Sequence, residues 1–152
     1  MVDKAYVDIL KEELIAAMGC TEPIALAYAA AKAREVLDEI PKKVYVGASG
    51  SIIKNVKSVI VPNTNHLKGI EAAVAAGIVA GNSEKELEVI SDITQEQIHN
   101  IKEYLELDII EVTCIEEGCT FEIEIKLIGE EASSYVRIAN YHTNIVEIKK
   151  DD

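Results

Sequence analysis

Two long stretches of the chain carry apolar residues at almost every position and are predicted to form buried helices. The first covers residues 22–39, is rich in alanine, and is closed by Pro41. The second covers residues 67–80 and ends at Gly81, a residue type that favours helix termination. Because small residues surround most of the first helix, we expect it to be packed on several sides. Gly69 and Gly77 weaken the second helix and would be tolerated if another backbone packs closely there.

Three further segments combine charged and apolar residues with helical spacing. An amphipathic helix is predicted at 3–18, near the beginning of the chain. Capping-box patterns starting at Ser83 and Thr94 predict a short helix at 84–91 and a longer helix at 95–106. Polar residues opposite the apolar stripe indicate that these helices have one solvent-exposed face.

Extended segments are predicted in two parts of the chain. The earlier part has a strand at 43–47, a turn of small residues at 48–51 and a short extended piece at 58–61. In the last third, apolar and polar residues alternate with a period of two, which is typical of half-buried antiparallel strands. The expected strands there lie at 110–114, 121–127, 135–141 and 144–149, with a turn at 116–118 joining the first two into a hairpin.

These elements predict an α+β fold in one domain, residues 1–152. Ala-rich helices with a short strand–loop come first, and a mostly antiparallel β-sheet packed by a helix follows. Cys114 and Cys119 fall on the apolar phase of the predicted hairpin, so we expect both thiols in its core.

The net charge of the chain argues against two classes of binding partner. With 27 acidic and 15 basic residues the net charge is -12, which argues against nucleic acid and anionic membranes as partners. No apolar run reaches the roughly 18 residues of a membrane span, and the charged start does not fit a signal peptide. Three cysteines do not form a disulfide framework, so we expect a cytoplasmic protein.

Cys20 lies directly before the first Ala-rich helix. Thr21 suits the cap of that helix and Pro23 suits its first turn. The unpaired N–H groups and the dipole of a helix N-terminus favour negative charge, so a thiol there ionises more easily and becomes a better nucleophile or metal ligand. A small buried thiol beside a helix start is an equally open interpretation.

Four clusters of small polar residues interrupt the regular pattern, at 19–23, 47–55, 62–66 and 141–144. Loops between rigid elements often carry binding groups, although each cluster also fits an ordinary turn. In their order and spacing, the segments GCTEPIA at 19–25, KN at 54–55, VPNT at 61–64 and HTNI at 142–145 resemble the N-terminal half of the L-cysteine desulfidase family. That family is related to the iron–sulfur L-serine dehydratase α-chain.

The resemblance implies degradation of L-cysteine to pyruvate, ammonia and sulfide with an oxygen-labile 4Fe–4S cluster, and Cys20 as a cluster ligand. Family members are longer, and their other cluster cysteines lie in a C-terminal half to which Cys114 and Cys119 do not correspond. We therefore expect the N-terminal part of a longer or two-subunit enzyme, which needs a C-terminal half or subunit as its partner and does not retain the cluster by itself. Without that half, apolar surface on the Ala-rich helices should be exposed and favour self-association.

Roles for individual residues follow as hypotheses. His142 suits proton transfer, with Thr21 and Glu22 beside Cys20 as further catalytic candidates. The carboxylate of an amino-acid substrate requires donors, and the candidates are Ser49, Ser51, Lys54, Asn55, Asn63, Thr64, Thr143 and Asn144. We predict that these clusters converge in one cleft.

Other interpretations stay open. The substrate could be L-cysteine or L-serine, since the two differ in the leaving group. The chain could instead be a non-catalytic small-molecule-binding or assembly domain of the same fold. A cysteine nucleophile that acts without a cluster is a third interpretation.

Overall fold

Helices and one β-sheet make up the part of the chain that this computed structural model describes, residues 21–56, 59–61, 64, 67–115, 121–140 and 144–151. The helices are α1 (Thr21–Leu37), α2 (Gly50–Val56), α3 (Gly69–Ala80), a 3₁₀ helix (Ser83–Glu88) and α4 (Gln95–Glu106). The strands are β1 (Lys43–Ser49), β2 (Ile110–Ile115), β3 (Glu122–Ile128), β4 (Ser133–Ala139) and β5 (Ile145–Lys150). The predicted α+β class is confirmed, and the helix predicted at 3–18 lies outside the described residues.

The two Ala-rich helices, α1 and α3, pack directly against each other. A Cβ atom built on Gly77 of α3 would lie 2.2 Å from the carbonyl oxygen of Ala27 in α1, so the helices meet at backbone distance. All residues from 23 to 31 in α1 are buried. The prediction that α1 is packed on several sides is therefore confirmed, and Gly77 does lie where another backbone packs closely.

Burial of α1 and α3 corrects one expectation about self-association. Their apolar surface was expected to be exposed, but the chain itself covers it because the helices pack on each other and α1 packs on the sheet. In the described part of the chain the large exposed apolar side chains lie elsewhere: Ile40, Tyr45, Ile60, Leu107, Val146 and Ile148.

The sheet has the strand order β2-β1-β3-β4-β5, in which only β1 and β2 are parallel. The predicted hairpin between β2 and β3 is wrong, because β1 lies between them. Alternation identifies a strand but not its neighbours. The long helical crossover from β1 to β2 allows the parallel pairing, and the buried end of β1 suits an interior position.

Cys114 is consequently not a core residue. It is exposed on β2, which is the edge strand of the sheet formed by the described residues. The expectation of a buried thiol is wrong because the helix layer covers the edge strand only partly, leaving Ile110 and Val112 half-buried. Cys119 and the predicted turn at 116–118 lie outside the described residues.

Three short segments differ from their predictions. The turn expected at 48–51 is wrong, since β1 continues to Ser49 and α2 begins at Gly50, with Ile52 and Val56 turned into the core at helical spacing. The extended piece at 58–61 is represented, among described residues, by one bridge between Ile60 and Lys68.

The helix expected at 84–91 is instead a 3₁₀ helix, Ser83–Glu88, and the Ser83 hydroxyl donates to Glu35 on α1. Asn82 caps it instead, with its side-chain oxygen accepting from the Glu84 amide at 3.1 Å. The capping box of α4 is confirmed: the Gln97 amide donates to the Thr94 hydroxyl at 3.2 Å, and the Thr94 amide donates to the Gln97 side chain at 2.9 Å.

The two faces of the sheet differ in character. The helix-covered face carries the core residues of the interior strands, including Val46, Ile125 and Val136, each 1 % exposed or less. No described helix covers the opposite face, which we call the open face and which carries Tyr45, Glu124, Lys126, Tyr135 and Arg137.

The Tyr104 side chain of α4 should make the free energy of unfolding fall as the pH becomes alkaline. Its hydroxyl donates to the Pro41 carbonyl at 2.8 Å, and burial raises its pKa to about 12, partly opposed by Arg34. Because the unfolded side chain loses its proton near pH 10, the stabilisation is complete below that pH and is lost as the pH rises to about 12. In urea unfolding at pH 8, 10 and 11, Tyr104→Phe should weaken this decline and cost about 1 kcal/mol at pH 8. The exposed-ring control Tyr45→Phe should leave the decline unchanged, and an unchanged slope in Tyr104→Phe would contradict the assignment.

Candidate functional site

Strand directions bring several predicted site residues to one end of the sheet. β1 and β4 finish where β3 and β5 begin, so Ser49, Glu122, Ala139 and Asn144 lie at the same end. We call this the Ser49 end. The opposite end, where β4 begins, is the Ser133 end.

Ser49 is held at the last position of β1 on the open face. It is 5 % exposed, and its hydroxyl accepts from the Glu122 amide at 3.3 Å. This contact ties the end of β1 to the start of β3. The hydroxyl proton is left to donate to a further acceptor.

Asn144 and Asn140 fix the two ends of the connection between β4 and β5. The Asn144 side-chain amide donates to the Ala139 carbonyl at 2.9 Å, and the Asn140 amide donates to the Phe121 carbonyl at 2.9 Å. Asn140 has a φ of 76°, a left-handed conformation that asparagine tolerates better than most residues. His142 and Thr143, between these anchors, lie outside the described residues.

The helix α2 follows Ser49 without a linker and carries three predicted donors. Ser51, Lys54 and Asn55 are all exposed on this helix. Their exposure keeps their polar groups accessible. Since α2 begins at the Ser49 end, the fold places the beginning of this helix beside Ser49.

Thr64 is fully buried, and its hydroxyl donates to the Val61 carbonyl at 2.7 Å. Around it, the Val61 amide donates to the Leu67 carbonyl at 2.8 Å and closes the loop before α3. Thr64 therefore stabilises the loop, and the structure does not bring its hydroxyl to an open surface. Asn63, the neighbouring candidate, lies outside the described residues.

The N-terminus of α1 is directed toward the Ser49 end. At the other end of the helix, the Ser134 hydroxyl donates to the Ala33 carbonyl at 2.8 Å, which places the C-terminal half of α1 at the Ser133 end. Thr21 and Glu22 are the first helical residues, and Glu22 is half-buried. Cys20 immediately precedes them and lies outside the described residues.

Glu122 and Arg137 are polar residues at this end that the sequence pattern did not single out. Glu122 is 6 % exposed, and its carboxylate lies 3.7 Å from the guanidinium of Arg137. Arg137 also contacts Glu147 at 3.4 Å. Alternation predicts Glu122 on a solvated face; only the register, which pairs Glu122 with Ala139, indicates its buried position.

One described thiol lies at the Ser49 end. Cys114, the penultimate residue of β2, is exposed there, and its sulfur would lie 3.8 Å from a Cβ on Gly50. A cluster with one open iron takes three cysteine thiolates, so the described residues of this end cannot hold one by themselves. Cys20, which the resemblance assigns to the cluster, lies outside the described residues.

Comparison with known proteins identifies relatives without a stated activity. No protein-family model matches the chain. It is similar to UPF0597 proteins from Desulfitobacterium hafniense, 56% identical over 148 residues, and Finegoldia magna, 53% identical over 152 residues. A third, from Fusobacterium nucleatum, is 47% identical over 144 residues.

The matches cover nearly all of this chain but a minor part of each relative. They include 97%, 98% and 95% of the chain, and 34%, 36% and 34% of the respective relatives. The chain thus spans about a third of the length of the curated relatives it matches. Separately, none of the described helices is long and apolar enough to cross a membrane.

Proposed function

We propose that the chain forms the N-terminal part of an iron–sulfur-dependent β-eliminating lyase that degrades L-cysteine to pyruvate, ammonia and sulfide, or deaminates L-serine. The observation that carries the proposal is the meeting of Ser49, the start of α2 and the anchored 140–144 connection at one end of the sheet. Sequence-distant polar groups gathered at one end are the usual basis of a small-molecule site.

The residues of this chain have different proposed roles, which follow from their charge and from their ability to accept a proton. Exposed Lys54 offers an ammonium group to the substrate carboxylate, and Ser51 and Asn55 offer uncharged donors on the same helix. His142 accepts the proton from the substrate Cα, the carbon atom next to the carboxylate. When bound, the cluster supplies a Lewis-acidic iron for the departing sulfur or oxygen, with Cys20 as a ligand.

The match to a third of each relative supports a divided site. We propose that a C-terminal half or separate subunit supplies the remaining cluster thiolates and completes the pocket. An oxygen-labile cluster and free thiols suit a reducing cytoplasm, which is where we place the protein. Self-association is also proposed, through exposed residues outside α1 and α3.

The second candidate is a non-catalytic domain that binds a small amino acid or a partner chain. It is supported by the same gathering of polar groups at the Ser49 end. It requires the same Ser49-end groups but no turnover.

Turnover by the full-length Desulfitobacterium relative separates the two candidates. Under anaerobic conditions after reconstitution with iron and sulfide, it should form pyruvate from L-cysteine or L-serine, with sulfide released only from L-cysteine. D-Cysteine and D-serine are the matched controls. Saturable binding of the L-amino acids with no pyruvate would contradict the lyase and favour the binding domain.

A further inference from the structure

A cavity of about 330 Å³ opens at the Ser133 end of the sheet, away from the candidate site. Its lining residues are Lys126, Ser133, Ser134, Tyr135, Lys149 and Asp151. The volume is within the range of small-molecule pockets.

The sheet register arranges the cavity around Tyr135. Tyr135 pairs with Lys126 of β3 on one side and with Lys149 of β5 on the other. The Lys149 ammonium lies 5.7 Å from the centre of the Tyr135 ring. The Tyr135 hydroxyl donates to Glu124 at 2.9 Å, one row nearer the Ser49 end, so the ring and not the hydroxyl forms the wall.

Two strand spacings separate the backbones of Lys126 and Lys149, about 10 Å in all. Because lysine side chains are long and flexible, both ammonium groups can approach one small ligand above Ser133. The Ser133 amide is occupied by the Asp151 carboxylate at 3.1 Å, which leaves the Ser133 hydroxyl as the donor at the cavity floor.

Charges of both signs surround the cavity. Lys149 pairs with Glu147 at 3.2 Å and Asp151 is among the lining residues, whereas Lys126 has no carboxylate within ion-pair distance among the described residues. Lys43 adds a third ammonium group one row further along the open face. Lys126 is therefore the ammonium group best placed to pair with an external anion, with Lys149 beside it.

We propose that this cavity binds a small oxyanion, a phosphate or carboxylate group held between the ammonium groups of Lys126 and Lys149 with the Ser133 hydroxyl as a further donor. Charge-assisted hydrogen bonds to two ammonium groups supply the affinity. The Asp151 carboxylate, which accepts from the Ser133 amide, lines one side of the cavity. The site is separate from the Ser49 end and does not depend on the lyase proposal.

A titration of the ¹⁵N-labelled 152-residue chain tests the oxyanion site. Inorganic phosphate and acetate are added in separate arms at constant ionic strength, with chloride as the matched salt. At least one of the two should give saturable amide shifts at residues 133–135 and 149–151. The arm that saturates distinguishes phosphate from carboxylate recognition.

Substitutions of the exposed lysines complete the test. Lys126→Met/Lys149→Met should lower the affinity at least tenfold, while the matched surface variant Lys102→Met on α4 should bind like the wild type. Well-dispersed spectra establish that each variant is folded. The proposal is overturned if neither anion gives saturable shifts, if chloride gives the same shifts, or if the double variant retains its affinity.

Discussion

Replacing Gly77 by alanine is expected to lower the free energy of unfolding by roughly 3 kcal/mol, although alanine is normally the better helix residue by about 1 kcal/mol. The added Cβ would lie 2.2 Å from the Ala27 carbonyl oxygen and 2.9 Å from its carbon. Both atoms belong to the backbone of α1, so no side-chain rotation relieves the overlap. The helices must separate, and the separation reduces packing along the most buried part of the molecule.

Urea denaturation of the wild type and two glycine variants measures this effect. Gly50→Ala is the matched control, because its nearest neighbour would be the Cys114 sulfur at 3.8 Å, an ordinary contact. That variant should change the free energy of unfolding by less than about 0.5 kcal/mol. Equal effects of the two substitutions, or a more stable Gly77→Ala protein, would show that α1 and α3 do not meet at backbone distance.

Helix positions were the most predictable part of the fold. The apolar runs at 22–39 and 67–80 correspond to α1 and α3, and the Thr94 capping box correctly marks the start of α4. These signals are local, since helix periodicity and capping involve residues within one or two turns. The close approach of α1 and α3 also has a local sign in the sequence, because the second apolar run contains Gly77.

Strand neighbours were not predictable in the same way. Alternation in β2 and β3 reports half-burial but carries no information about which strand lies alongside. The insertion of β1 between them is set by long-range packing, and it left Cys114 on an exposed edge. The predicted core position of that thiol failed for this reason.

Some residues of the candidate site were predictable from the sequence, but their contacts and burial were not. Small polar residues at the ends of predicted strands indicated Ser49 and Asn144, and the register does bring these two to one end. The role of Thr64 in closing its loop depends on a contact with Val61 that no residue pattern shows. Burial of the Glu122 carboxylate likewise depends on strand order.

Substitution of individual cysteines should identify the thiol that binds iron. When the 152-residue chain is reconstituted together with its C-terminal half, Cys20→Ala should remove most of the bound iron, whereas Cys114→Ala/Cys119→Ala should retain it, because the resemblance assigns Cys20 alone in this chain to the cluster. The exposure of Cys114 makes it a necessary variant. Iron that is retained in Cys20→Ala but lost in Cys114→Ala/Cys119→Ala would show that the assignment of Cys20 as the ligand is wrong.

The 152-residue chain alone is expected to release pyruvate at less than about one hundredth of the rate of the full-length Desulfitobacterium relative, a difference of about 2.7 kcal/mol in activation free energy. The chain spans 34% of that relative, and we propose that the remaining part supplies the other side of the pocket at the Ser49 end. A substrate bound only from one side is poorly oriented and remains in contact with water. Anaerobic pyruvate and sulfide assays on both proteins, at equal protein concentration after the same reconstitution with iron and sulfide, measure the ratio. A chain that matches the relative would overturn the divided site and require all catalytic groups within these residues, whereas two inactive proteins would contradict the lyase itself.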